Sequence, residues 1–174
     1  VVRDIGKVED DLVREIFRRI NLTKFKLEDI EIHNAVYDGK FIQAAKSIAA
    51  DIGLESYGVF HESEFTRMAD LHFVLQVMST LERGGYYNRD NEIEKCVAEF
   101  NEEYPYANAR KAEILNTFSI IENIGLDVDS IWFRKSNFFT LVIELTNAKK
   151  IPADLKNRLD TMGENVLKNK NMPD

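Results

Sequence analysis

Two short clusters carry the residue types that could meet a ligand. The first is Phe17-Arg18-Arg19-Ile20-Asn21, which closes an apolar-faced helical segment and is followed by Thr23 and Lys24. Arg18, Arg19, Lys24 and Lys26 place four cations within nine positions. A basic run at a helix end can meet phosphate, because Arg offers a forked set of donors. The same cations also oppose the negative end of the helix dipole. The second cluster is Glu31-Ile32-His33-Asn34-Ala35-Val36-Tyr37-Asp38-Gly39. Asn is unfavourable inside a helix. Asn34 therefore reads as structural glue, holding a neighbouring loop through side-chain hydrogen bonds.

Other chemistry is sparse. His33, His61 and His72 are the only histidines, and no pair has the i, i+4 spacing that sets two metal ligands on one helix face. No metal is expected. The polar run His61-Glu62-Ser63-Glu64 reads as an exposed loop and helix start, since acids suit a helix N-terminus. Arg67 and Asp70 read as an intrahelical i, i+3 pair. The single cysteine, Cys96, sits in the apolar run of Ile93, Val97 and Phe100 and reads as a buried, inert thiol. No phosphate-binding Walker loop, dinucleotide fingerprint or nucleophile elbow occurs, and Gly84-Gly85 reads as a helix stop.

These residues must be positioned by helices. Apolar spacings of three and four recur from end to end. They predict helices with apolar faces at Val8 to Ile20, Leu27 to Tyr37 and Phe41 to Ile52, the last stopped by Gly53. Asp38-Gly39 is expected to break the second helix through a left-handed cap. A long helix is expected from Ser63, its cap, to Arg83, and another from Asn88 that Pro105 ends. Ala107 to Ile124 follows, with Gly125 as its stop. The apolar run Phe138 to Leu145 is ambiguous in period and reads as a helix capped by Ser136. The last helix starts at Pro152 and lines Leu155, Leu159, Met162 and Val166 on one face, before a frayed tail at 168–174. The expectation is an all-α single domain, residues 1–174, of about eight helices.

The bulk numbers agree with a helical, water-facing chain. Its 174 residues are 44% apolar and 30% charged, with three Pro and eight Gly, too few for a sheet with frequent turns. The net charge of −7 argues against a domain-wide basic footprint for nucleic acid but leaves a local basic patch open. The lone cysteine and the lack of an apolar run near 18 residues suit a cytoplasmic protein with no membrane partner. The first residues form no signal peptide, and the missing initiator Met suggests a piece of a longer chain.

Four ordered stretches carry a family resemblance. They are Phe17-x-Arg19-Ile20-Asn21 continuing to Glu31-Ile32-His33-Asn34-Ala35-Val36-Tyr37-x-Gly39-x-Phe41; Arg67-Met68-Ala69-Asp70; Gly85-Tyr86-Tyr87-Asn88-Arg89-Asp90; and Trp132-Phe133-Arg134-Lys135-Ser136-Asn137-Phe138-Phe139-Thr140-Leu141. Together they resemble the helical half of the GmrSD-type restriction endonuclease N-terminal family, in which a ParB-like nuclease fold precedes the helices. The resemblance covers about Glu15 to Leu155. It implies a nucleotide-dependent protein that restricts modified or foreign DNA, with a nucleoside triphosphate as cofactor of the complete protein and none in the helical part alone. The family's Asp-Gly-Gln-Gln-Arg motif belongs to the ParB-like part and does not occur here. A further family motif, Phe-x-x-x-Asn-x-x-Gly, maps onto Phe17, Asn21 and Lys24, with Lys24 in place of Gly and Thr23 where many relatives have Gly. His33 stands where many relatives show Arg.

The resemblance therefore implies a helical support for a ParB-like N-terminal part of the same parent chain, and one wall of its nucleotide or DNA site. That wall would comprise Arg19, Asn21, Lys24, His33 and Asn34. Arg19 and Lys24 would meet phosphate, and Asn21 and Asn34 would fix the loop. Self-association is a further expectation. The chief alternative is a stand-alone helical protein-interaction module without catalytic activity, which predicts an exposed apolar patch. A DNA-binding helix pair would need a basic face. An independent enzyme has the least support, since no nucleophile–base pair stands out.

Overall fold

A computed structural model describes residues 39–86 and 89–170 of the chain. Among them the α-helices are α1 (Lys40–Ile52), α2 (Glu62–Phe65), α3 (Ala69–Arg83), α4 (Arg89–Glu99), α5 (Ala107–Ile124), α6 (Lys135–Asn147) and α7 (Leu155–Lys170). Two 3-10 turns, Leu54–Tyr57 and Ile131–Phe133, complete the regular structure, and the described residues contain no strand. The all-α expectation holds. The two helices expected before residue 38 lie outside the described residues.

α3 is the central helix. It packs on α1, α2, α4 and α6, and α1 and α6 in turn pack on α5. Its position explains its composition: Leu71, Phe73, Val74, Leu75, Val77 and Met78 are all buried, so apolar groups face inward on most of its circumference. One core links these helices. Phe138 lies at its aromatic centre, with ring centroids 5.5 Å from Tyr57, 5.7 Å from Phe73 and 5.9 Å from Phe118. Such spacings fit tilted and edge-on ring packing. Cys96 is fully buried in this core, and burial pushes its thiol pKa up, as expected of an inert cysteine.

Three helix stops match the sequence. Gly53, Gly84 and Gly125 follow α1, α3 and α5 with positive φ, the conformation that glycine adopts without a Cβ clash. Other boundaries differ, and at Gly39 and the end of α4 a tertiary contact sets them. Gly39 is extended, with φ −72°, and forms no left-handed cap. A Cβ there would lie 2.8 Å from the Asn101 Cα and 2.9 Å from its carbonyl oxygen. Gly39 is thus required by the close approach of two backbones. That approach lets Lys40 N–H donate to the Asn101 carbonyl at 2.8 Å and Phe41 N–H to the Phe100 carbonyl at 3.3 Å. Two of the unpaired donors at the start of α1 are so satisfied. For the same reason α4 ends at Glu99, well before Pro105, and Phe100 packs against Phe41 and Tyr104 at centroid distances of 5.7 and 5.1 Å.

The expected helix from Ser63 to Arg83 is two helices. Met68 breaks it with φ 58°, the one non-glycine residue with positive φ among the described residues. Ser63 is inside α2, and its cap position falls to His61, whose backbone N–H donates to the Glu64 carboxylate at 3.0 Å. Arg67 lies in the break, so Arg67 and Asp70 do not share one helix. The ambiguous run at Phe138 is helical, as expected, but Ser136 is not its cap. Arg134 occupies that position, and the preceding 3-10 turn is capped by Ser130.

α7 starts three residues after Pro152. Its first half is held by Trp132, whose Nε1–H donates to the Leu159 carbonyl at 2.9 Å. The expected apolar face is only half covered. Leu159 is buried, whereas Met162 is 54% and Val166 45% exposed. The helix continues to Lys170, into the stretch expected to fray, and 171–174 lie outside the described residues.

Candidate functional site

The five residues expected to form a ligand wall, Arg19, Asn21, Lys24, His33 and Asn34, lie outside the described residues. The stretch that carries His33 and Asn34 leads directly into Gly39, the point where the chain is pinned to Asn101.

The described residues bring the other three resemblance stretches together. Two of them line a cleft of about 360 Å³ between α2, α3 and the start of α6, and the third packs behind it. Ala69 comes from the first of these stretches, and Lys135, Ser136 and Phe139 come from the last. Tyr86, from the remaining one, sits edge-on to Phe139 at 6.2 Å, and its hydroxyl donates to Glu144 on α6 at 2.8 Å. The cleft has an aromatic floor. Phe73 and Phe139 are 4% and 2% exposed, and Phe60 is half-buried beside them.

Local structure explains how its polar groups converge. His72 and Gln76 are i, i+4 on α3 and so occupy one helix face. The left-handed turn at Met68 starts α3 at Ala69 and thereby fixes which face that is. Lys135, the first residue of α6, pairs with Glu64 of α2 across the mouth. Its ammonium also lies 5.5 Å from the Phe60 ring centroid, within cation–π range. The hydrogen bond from Lys135, with help from the His61 backbone N–H, holds the Glu64 carboxyl below its usual pKa. On the far side, burial and the bond to Glu144 push the Tyr86 hydroxyl up to about 12.

Two polar side chains in this cleft differ from the rest. Among the described residues, the Gln76 amide and the Ser136 hydroxyl form no hydrogen bond, although Gln76 is half-buried. Ser136 is expected from the sequence to be a helix cap, and Gln76 is not among the expected site residues. A signal for Gln76 was present: it interrupts the apolar run Phe73-Val74-Leu75 and Val77-Met78 at helical spacing from His72.

A wider cleft of about 570 Å³ lies between α1 and α5. Two of its lining side chains, Lys111 and Tyr104, tie it to neighbouring groups. Lys111 contacts Asp51 and Ser47, each at 2.6 Å. Tyr104 donates to Glu82 at 2.5 Å, and Arg110 meets the same carboxylate at 3.0 Å. Burial and this carboxylate raise the Tyr104 pKa. The network ties α3 to α5 and is architectural. Among the described residues no group of three or more His, Cys, Asp or Glu could hold a metal ion. No described helix is long and apolar enough to cross a membrane. Compared with family models, with curated proteins and with solved structures, the chain finds no match in any of the three.

Proposed function

We infer that the chain is the helical portion of a GmrSD-like, nucleotide-dependent DNA restriction protein. It supports a ParB-like catalytic part of the same parent chain and contributes one wall of a nucleotide or DNA site. One observation supports the reading: two of the four resemblance stretches, far apart in sequence, line one cleft, and Tyr86 of a third packs on Phe139 behind it. Their joint presence then has a physical reason, because each supplies a part of one packed arrangement. Arg19 and Lys24 meet phosphate in this reading, Asn21 and Asn34 fix the loop beside them, and His33 belongs to the same wall. Nucleoside triphosphate is the cofactor of the complete protein.

The test is made in the complete protein. Arg19→Ala and Lys24→Ala are expected to weaken nucleotide or DNA binding by about tenfold each, the loss of one charge-assisted contact. Affinities unchanged for both ligands sink the assignment.

A second reading has its own observation. Met162, Val166 and Leu167 are large, exposed apolar residues close together on α7. A helical interaction module without catalysis would use such a face. Under it, Val166→Glu abolishes a self-association that sedimentation detects. Under the first reading, Val166→Glu leaves nucleotide binding intact.

A further inference from the structure

We propose that the wider cleft, between α1 and α5, is the seat of the chain's own residues 27–37, packed as a helix antiparallel to α1. The inference does not depend on what Arg19 and Lys24 bind.

The point of entry is fixed. Gly39 is buried, and its backbone lies against Asn101 at one end of the cleft. Lys40 and Glu102, the chain neighbours of these two residues, belong to the lining. The chain ahead of Gly39 therefore arrives at this cleft. Residues 27–37 have the apolar spacing of a helix, and only Asp38-Gly39 joins them to α1. Two helices with so short a connection pack side by side and antiparallel.

The shape of the seat fits a helix. Lys40, Gln43, Ala44 and Ser47 line it from α1 and share one face of that helix. The opposite face, with Phe41, Ile42, Ala45 and Ile48, is in the core. Ala107 and Lys111 line it from α5, one turn apart. The seat thus runs for about 11 Å along α1, against about 16 Å for a helix over residues 27–37. Ala44 and Ala107 are small and half-buried, so a further helix can come close.

The segment has a face to match. Ile30, Asn34 and Tyr37 are i, i+4 and i+7. Antiparallel packing sets Tyr37 beside Lys40, Asn34 beside Gln43, and Ile30 beside Ser47. The two apolar side chains then cover Ala44 and Ala107, and the Asn34 amide meets the polar rim at Gln43 and Asn108. Charge agrees with this direction. The segment carries Glu28, Asp29 and Glu31 and no Lys or Arg. Its acids fall at the Ser47 end, beside the exposed Lys46 and away from Glu102 and Glu103 at the Gly39 end.

The experiment uses the full 174-residue chain with Cys96→Ala, so that introduced cysteines are the only ones. Ile30→Cys is combined with Ser47→Cys in one protein and with Val166→Cys, exposed on α7, in another. Bridging needs Cα atoms within about 7 Å. Under mild oxidation the 30–47 pair is expected to close within one chain at least about tenfold faster than the 30–166 pair. A second measurement needs no substitution: methyl NOE spectra of the unmodified chain should connect Ala44 and Ala107 to Ile30 or Tyr37. The proposal is overturned if the 30–166 pair closes as fast, or if the 30–47 pair closes only between chains. It is equally overturned if the Ala44 and Ala107 methyls show no NOE to residues 27–37.

Discussion

Gly39 shows how one missing Cβ can hold two helices together. Its φ is ordinary, so any residue could adopt the backbone conformation. What forbids a side chain is the Asn101 backbone, under 3 Å from where a Cβ would sit. Gly39→Ala is therefore expected to destabilise the protein by about 1–3 kcal/mol, the usual cost of forcing atoms into a packed contact. Gly58 is the control: its φ is +64° but nothing lies within 4 Å of a Cβ, so Gly58→Ala should cost only about 1–2 kcal/mol of local strain. Denaturant unfolding of both variants reads the difference, and a Gly39→Ala protein as stable as wild type would refute the backbone clash. Tyr86 makes a pH prediction at the same scale. Its folded pKa is raised from 10.0 to about 12, so the folded state holds the phenolic proton more tightly than the unfolded chain. The contribution is complete below about pH 10 and is lost as pH rises through about 12. Tyr86→Phe should flatten that alkaline loss of stability, and an unchanged alkaline profile would contradict the bond to Glu144.

At the scale of elements, Met68 separates α2 from α3 at the cost of a left-handed residue. Both Met68→Ala and Met68→Gly remove the half-buried side chain, but only glycine also relieves the strain. Met68→Gly should therefore be more stable than Met68→Ala by about 1 kcal/mol, measured by denaturant midpoint. The reverse order would show that the junction is unstrained. The same junction marks the boundary of what the sequence could disclose. Gly53, Gly84 and Gly125 end helices by local backbone chemistry, and their residue type announces it. The end of α4 at Glu99 and the role of Gly39 depend on distant partners such as Phe41, Phe100 and Asn101. No local pattern encodes those. The cleft was illegible for the same reason, because Gln76 and Lys135 are 59 positions apart and meet only through the packing of α3 on α6. Of the five residues expected at a ligand wall, the described part of the molecule includes none.

Across the whole molecule, polar networks join elements that the apolar core alone would leave free to slide. Glu82 on α3 accepts from Tyr104 and from Arg110 on α5, and its side chain is only 10% exposed. Glu82→Ala would strand both donors and is expected to cost about 2 kcal/mol. Glu82→Gln, which keeps one acceptor, should cost less. Equal losses, or none, would mean that the network is incidental to the fold. The central claim concerns what this helical body belongs to. Its most direct test is to sequence the gene upstream of the Val1 codon. An in-frame stretch that encodes an Asp-Gly-Gln-Gln-Arg-type motif ahead of the helices is the expected result. A start codon immediately before Val1 would contradict it, and would leave the helices as a unit that stands alone.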